Sequence, residues 1–395
     1  MMRAQHSVPR RTIRVAQFVR SFYIGGTEGQ ALELIRRLPR DDQLCVAVEQ
    51  DAGQLVEQVW SLGHLPTVFS LHGSAKKPNT AYQIARLARW LRQEQVELLH
   101  AHDFYATLLG VPAAKLARVK VLVGRLDLAH FHGSAQRRAL TAFTRAADHV
   151  VANAGAIQQM LISEEGIPAS KISVIHNGID LGRFDRRMRG PLEKPLPDVA
   201  GAPVIVQVAN MAHPVKRQED LLHALAILAA EGSDARAFLV GDGPRRAEIE
   251  AVAVRLGVAK RAHFLGTRTD VPAILARASV GVLCSSAEGL SNAVIEGMAA
   301  SLPMVVTRVG GNPELIADGE RGFVVPPYAP TALAEAIRKV LAKPAEARRR
   351  GAAARQFVER ELTLQQLCDR HDALYRAVLE ARAGAERSGA AFRDT

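Results

Sequence analysis

The sequence predicts an α/β protein built of two Rossmann-like domains in tandem, each a doubly wound parallel sheet. Three observations lead there. Short apolar runs of strand length alternate with amphipathic stretches of helix length along nearly the whole chain. The alternation halts once, in a proline-rich segment, and then starts again. The chain has 395 residues, too many for one ordinary hydrophobic core, so two domains are expected, or three.

In the first half, Ile13–Val19, Leu44–Val48, Val96–His100, Lys120–Gly124 and His149–Asn153 are near-continuous apolar runs. Such runs are what strands buried on both faces require. Between them, Glu28–Leu38, Gly53–Leu62, Asn79–Gln93, Tyr105–Leu116 and Ser134–Ala147 carry the helical period. The rhythm stops at Arg183–Ala202, where Gly190, Pro191, Pro195, Pro197 and Gly201 break both helix and strand, and the linker is placed there. It resumes with strands at Pro203–Val208, Ala237–Val240, Ala262–Leu265, Val280–Cys284, Met304–Thr307 and Gly322–Val325. Helices fit Gln218–Ala230, Arg245–Leu256, Val271–Ala278, Asn292–Ala300, Pro330–Leu341 and Pro344–Glu361. The expected domains are therefore 1–190 and 191–363, facing across a cleft at the C-terminal ends of their strands, where open α/β sheets bind ligands. Residues 364–395 are read as a helix, Leu364–Ala381, packing back on the first domain, with a frayed tail beyond Gly384.

Composition narrows the class. With 48% apolar and 23% charged residues the chain is globular, not disordered. It has no apolar run long enough to span a membrane, and the basic segment Met1–Arg14 lacks the apolar stretch of a secretory signal. A cytoplasmic location is expected. Cys45, Cys284 and Cys368 lie far apart without metal-ligand spacing and read as reduced thiols. The net charge of +11 is uneven: residues 1–190 hold 25 Lys+Arg against 16 Asp+Glu, the remainder 26 against 24. A basic first half suits an anionic partner, although a bias toward arginine codons explains it equally well. Aromatic residues at only 5% are too few to interleave with the basic ones, which argues against nucleic acid. Ile84, Leu87 and Leu91 share a helical face flanked by Arg86, Arg89, Trp90 and Arg92, a candidate for peripheral contact with an anionic membrane at its inner face; a solvated basic face is the plainer alternative.

The sharpest chemical signal is Glu288-Gly-Leu-Ser-Asn-Ala-Val-Ile-Glu296, which follows a buried strand and opens a helix. Gly289 lets the loop approach a ligand closely, and Leu290 follows it. Ser291 can cap the helix entered at Asn292, whose free N–H groups and positive dipole end suit a phosphate. Glu288 can then reach a sugar hydroxyl and Glu296 a ribose diol. Alone, the segment is also compatible with an ordinary strand–loop–helix carrying two solvated acids. His102 and Asp103, then Arg125 and Asp127, end strands of the first domain and are expected on the acceptor side of the cleft, with His130 and His132 on the loop that follows. Asp103 can equally cap the helix beginning at Phe104.

The stretch Ser285–Pro327, with Glu288, Glu296, Gly310-Gly311-Asn312-Pro313-Glu314 and Gly322-Phe323-Val324-Val325, resembles the retaining glycosyltransferase family 4, of GT-B fold. Val174-Ile175-His176-Asn177-Gly178-Ile179-Asp180 and Gly25-Gly26-Thr27-Glu28 resemble further landmarks of that family, and the similarity runs from Arg14 to about Glu361. The resemblance implies a sugar transferred from a nucleotide-sugar donor, held mainly on the second domain, to a glycan or glycolipid acceptor on the first, as in synthesis of bacterial envelope polysaccharide, lipopolysaccharide or glycolipid. It matches Lys216 to the lysine that holds the donor diphosphate, places Asp127 beside the reacting sugar, and gives the loop at Gly26 a contact with donor phosphates or acceptor. The family's arginine a few residues before that lysine is absent; Asn210 and Met211 stand there, and His213 and Arg217 are the candidates to replace it. No Asp-X-Asp occurs, so neither metal nor other cofactor is expected, the nucleotide sugar being a co-substrate. An epimerase or phosphorylase of the same fold, and a non-catalytic sugar-nucleotide-binding relative, are the alternatives.

Overall fold

The computed structural model describes residues 11–391 except 24, 39–42, 72–77 and 127–132, and of 382–391 the backbone alone. Among the described residues there are two sheets, and every strand pair in both is parallel.

The first sheet has β1 (Arg14–Val19), β2 (Gln43–Val48), β3 (Thr67–Val68), β4 (Leu98–Ala101), β5 (Lys120–Arg125), β6 (His149–Ala152) and β7 (Ile172–Val174), in the order β3-β2-β1-β4-β5-β6-β7. Its helices are α1 (Gly26–Arg37), α2 (Val56–Ser61), α3 (Pro78–Gln93), α4 (Phe104–Ala117), α5 (Ser134–Ala146) and α6 (Gly155–Ser163). Side chains of successive β1 residues enter different cores: Phe18 joins Leu87, Leu91, Leu99 and Leu109, while Val19 joins Phe22, Leu32, Val48 and Val59. Helices therefore cover both faces, and the strands read as unbroken apolar runs for that reason.

After α7 (Leu181–Met188) the second sheet comprises β8 (Val204–Val208), β9 (Arg236–Val240), β10 (Ala262–Gly266), β11 (Val280–Leu283), β12 (Met304–Thr307) and β13 (Gly322–Val325), ordered β10-β9-β8-β11-β12-β13. Its helices are α8 (Gln218–Ala230), α9 (Arg246–Arg255), α10 (Val271–Leu275), α11 (Asn292–Ala299), α12 (Asn312–Leu315), α13 (Pro330–Ala342) and α14 (Pro344–Glu361), and α15 (Leu364–Ala391) ends the chain. Their core includes Ile205, Leu221, Leu225, Leu239, Val282, Val305 and Ile337.

Contacts divide the chain into one unit of residues 1–152, 158–175 and 367–395 and another of 153–157 and 176–366. The sequence places the division at 190/191; the contacts put it at 175/176. The reason is α7, which forms inside the expected linker. Asp180 caps it by accepting from the Arg183 N–H at 2.9 Å, Phe184 is buried, and Asp185 takes a bidentate ion pair from Arg355 at 2.7 and 2.8 Å. These contacts make 176–190 part of the second unit. The sequence reading does not include the short strands β3 and β7 or the helices α6, α7 and α12; each is short, and α7 lies inside the glycine- and proline-rich segment taken as linker. The final helix runs to Ala391, past the tail expected beyond Gly384, through a stretch rich in strong helix formers such as Ala385, Glu386 and Arg387.

The apolar stripe of α3 is not a surface. Leu87 and Leu91 are fully buried in the core, and Ile84 packs against it. Arg86 lies over the Phe69 ring at 4.9 Å. Its outward side carries Tyr82 together with Arg86, Arg89 and Arg92. Among the described residues no helix is long and apolar enough to cross a membrane.

Candidate functional site

In each sheet the strand order reverses once, the point at which open α/β sheets bind ligands beyond their C-terminal strand ends. In the second sheet the reversal falls between β8 and β11. The loop after β8 ends in a short turn of helix, Pro214–Lys216, and the loop after β11 leads into α11. The two loops are stitched together. Ser286 N–H donates to the Val215 carbonyl at 2.8 Å, Gln207 Nε2 to the Lys216 carbonyl at 2.9 Å, and Gln218 Nε2 to the Asn210 carbonyl at 2.9 Å. The buried Cys284 thiol donates to the Arg217 carbonyl at 2.9 Å, and burial pushes that thiol up to about 12, so it stays a thiol.

This frame brings Lys216 Nζ to 2.6 Å from Glu288 Oε1. Ser285, fully buried, donates its hydroxyl to the same oxygen at 2.5 Å. Glu288 is nearly buried, which a carboxylate tolerates only when charge and hydrogen bonds meet it.

Gly289, Leu290 and Ser291 carry the chain to the head of α11. Ser291 is the cap, its hydroxyl accepting from the Val294 N–H at 3.4 Å. Asn177 donates Nδ2 to the Leu290 carbonyl at 3.2 Å and to Asn292 Oδ1 at 2.8 Å. Behind the loop, Gly310 has φ +49°, and a Cβ there would lie 1.9 Å from the Glu288 carbonyl oxygen. Gly311 N–H donates to the Gly289 carbonyl at 2.7 Å. Glu314 accepts from the N–H groups of Gly155 and Ala156 at 2.9 and 3.0 Å and from His176 Nε2 at 3.1 Å. Burial raises its pKa, but His176 and the two amides outweigh that and hold it below the usual glutamate value.

Glu296 sits in the second turn of α11, partly buried, and its carboxyl has no hydrogen-bond partner among the described residues. Burial pushes its carboxyl up to about 7, opposed by the charge of Arg187. Glu288 and Glu296 are thus unlike: one has an oxygen held by two donors, the other a carboxyl that no donor among the described residues meets.

Arg217 is in the left-handed region at φ +51°. Its guanidinium bonds Asp220 at 2.6 and 3.1 Å and lies 4.8 Å from the Tyr328 ring centroid, so it is already held by this chain. His213, exposed, precedes the Pro214–Lys216 turn. Gly241–Gly243 forms a turn against the same loop, the Met211 N–H donating to the Asp242 carbonyl at 2.9 Å.

In the first sheet the reversal falls between β1 and β4. Gly26 begins α1 there, with Gly25 as its cap residue. Asp103 caps α4, accepting from Ala106 N–H at 2.9 Å and from Arg20 N–H at 2.6 Å. His102 and Arg125, expected to face substrate, are turned inward instead. His102 is buried, donates Nε2–H to Gln17 Oε1 at 2.6 Å and packs on the His100 ring at 3.8 Å; burial drives it down to about 3. Arg125 is buried in a bidentate pair with Glu165 at 2.6 and 2.8 Å. A buried guanidinium at the end of a central strand needs a carboxylate, and Glu165 supplies it from 40 residues away. Asp127, His130 and His132 lie outside the described residues. So the structure brings Lys216 to the loop Glu288–Asn292 where the second sheet reverses its order, with Glu296 on the helix that follows. Sequence reasoning missed Ser285, which is small and ends an apolar run, and the bonding of Asn177 and Glu314, although both stood in segments that carried the resemblance. Among the described residues no group of His, Cys, Asp and Glu could hold a metal ion.

Comparison with known proteins places the same segments. The family described as Glycosyltransferase Family 4 matches residues 24–183, and Glycosyl transferases group 1 matches residues 202–343. N-acetyl-alpha-D-glucosaminyl L-malate synthase of Bacillus anthracis is 26% identical over 303 residues, covering 75% of this chain and 78% of that protein. D-inositol 3-phosphate glycosyltransferase of Streptomyces scabiei is 29% identical over 357 residues, covering 86% and 73%. Among solved structures, Anabaena Alr3699/HepE in complex with UDP-glucose has a TM-score of 0.79 at 22% identity, covering 92% of this chain and 100% of that one. That likeness is one of fold: two parallel-sheet α/β domains of GT-B type.

Proposed function

The chain belongs to glycosyltransferase family 4 and is a glycosyltransferase, and on that premise we propose that it works with retention, moving a sugar from a nucleoside diphosphate to an acceptor hydroxyl. The observation that carries this reading is the 2.6 Å contact of Lys216 with Glu288 where the second sheet reverses its order. This site offers a diphosphate one ammonium and the N-terminal end of α11, and it offers the sugar and ribose one carboxylate each.

In this reading the acceptor hydroxyl attacks from the face the nucleotide leaves, and the departing phosphate oxygen takes its proton. Lys216 and the chain at Gly289–Asn292 stabilise the negative charge that grows on the leaving group. Glu288 orients donor sugar hydroxyls through the oxygen that Lys216 and Ser285 leave open. Glu296 accepts from the ribose diol. Asp127 belongs to the acceptor side in this proposal, and no divalent ion takes part. The complex of the Anabaena protein with UDP-glucose supports a nucleotide sugar as the donor. A glycan or glycolipid of the bacterial envelope is the proposed acceptor; the names of the two relatives add L-malate and inositol 3-phosphate to an acceptor screen.

The test begins with thermal stabilisation by UDP, GDP and ADP, then turnover of the sugar nucleotide so selected. Lys216→Ala and Glu288→Ala are each expected to lower kcat by about 100-fold, the cost of removing one preorganised charge-stabilising group. Near-normal turnover in both would overturn the assignment. EDTA should leave the rate unchanged, and the product should keep the donor's anomeric configuration by NMR; an inverted product would rule out retention.

A further inference from the structure

We propose that Ser285 is a positioning residue for sugar transfer, acting through Glu288. The inference rests on the proposed role of Glu288 and goes beyond it. Ser285 is the first residue after Cys284, where the β11 segment leaves the sheet, and it has no exposed surface. Its hydroxyl therefore cannot touch a ligand; its hydrogen bond goes to Glu288 Oε1, at 2.5 Å. Lys216 approaches the same oxygen at 2.6 Å. Two donors on one carboxylate oxygen fix the plane of the group and leave Oε2 as the atom presented to solvent or sugar. With Lys216 alone the carboxylate is free to rotate and to pair through both oxygens.

The backbone of Ser285 is itself held from behind. Thr307, buried at the end of β12, donates Oγ1 to the Ser285 carbonyl at 2.6 Å. Asn312 in turn donates Nδ2 to the Thr307 carbonyl at 3.1 Å. The backbone that carries Ser285 is thus tied to the end of β12 and, through the Thr307 carbonyl, to the head of α12. A supporting shell of this kind is how a reacting carboxylate is kept in one geometry.

The experiment compares wild type with Ser285→Ala, and with Thr307→Val as a variant that loosens the support while keeping the Ser285 hydroxyl. Rates are followed as nucleoside diphosphate released from UDP-glucose, GDP-mannose and ADP-glucose, and affinity as thermal stabilisation by UDP, GDP and ADP. Ser285→Ala should lower kcat on the order of tenfold while nucleotide affinity stays within about twofold, because a misoriented carboxylate affects the reacting sugar and not the diphosphate grip. Thr307→Val should fall between. A kcat within about twofold of wild type in Ser285→Ala, or an equal loss of nucleotide binding, overturns the proposal. If wild type turns over none of the three donors, the reading of function fails on its own account, and a crystal structure of Ser285→Ala decides this one. A Glu288 carboxylate that has rotated toward Lys216 supports it, and one unmoved refutes it.

Discussion

Arg125 shows at the scale of a single residue how the same sequence feature has two outcomes. A charged side chain at the C-terminal end of a parallel strand either meets substrate or is neutralised from within. Glu165 makes it the second. Arg125→Ala should destabilise the first unit by about 3 kcal/mol in urea titrations, because it leaves a largely buried carboxylate unpaired. Donor affinity should be unaffected. Glu296 is the opposite case. Its carboxyl sits near 7 where a glutamate is ordinarily near 4.5. A carboxyl raised on folding contributes stability below its unfolded pKa and loses it as pH rises through the folded value. Glu296→Gln should therefore gain Tm over wild type between pH 5 and pH 8, the gain growing with pH. A diol that donates to this carboxylate favours the charged form, so UDP or its equivalent should bind with release of a proton near pH 7, seen as a buffer-dependent enthalpy that Glu296→Gln abolishes. The placing of Glu288 and Ser291 at the head of α11 was legible in the strand–loop–helix pattern, and that of Lys216 beside them only through the family resemblance. The fates of His102 and Arg125 were not, because a sequence does not reveal that Gln17 and Glu165 wait across the fold.

Among the elements, α11 and the loop before it depend on close backbone approach. Gly310→Ala would set a methyl 1.9 Å from the Glu288 carbonyl oxygen, at a φ that disfavours any side chain. The loop must move, and with it the carboxylate. The expected result is a loss of kcat of about 100-fold with only a modest fall in Tm, measured on one purified sample. Long elements were legible throughout: buried strands gave apolar runs and α3 and α5 gave clear periods. The element that misled was α7, because proline and glycine density marks irregular chain without saying on which side of it the domain ends. The stripe of α3 misled differently, since an apolar face looks the same in sequence whether it meets a core or a lipid.

For the molecule as a whole, the feature of most consequence is the return of α15 to the first unit. Gln17 Nε2 donates to the Tyr375 hydroxyl at 3.2 Å, and that hydroxyl donates to His100 Nδ1 at 2.8 Å. Tyr375→Phe strips two buried groups of their partner and should cost about 1–3 kcal/mol in denaturant titrations. Around it, His100, His102 and His371 are buried and held neutral, the last two at about 3 and about 4 against an ordinary 6.5. Histidines depressed on folding contribute stability that is full above 6.5 and is lost as pH falls toward 4, so the first unit should weaken across that window, with a slope that His371→Leu reduces. There is also a consequence for how the protein is made. Everything the second unit needs has been synthesised by Gln366, whereas the first unit still lacks the residues from Leu367 onward. On the ribosome the order of completion should run against the order of translation: protease resistance appears first in the later-encoded half, and the earlier half waits, unfinished, for the chain's last helix to emerge.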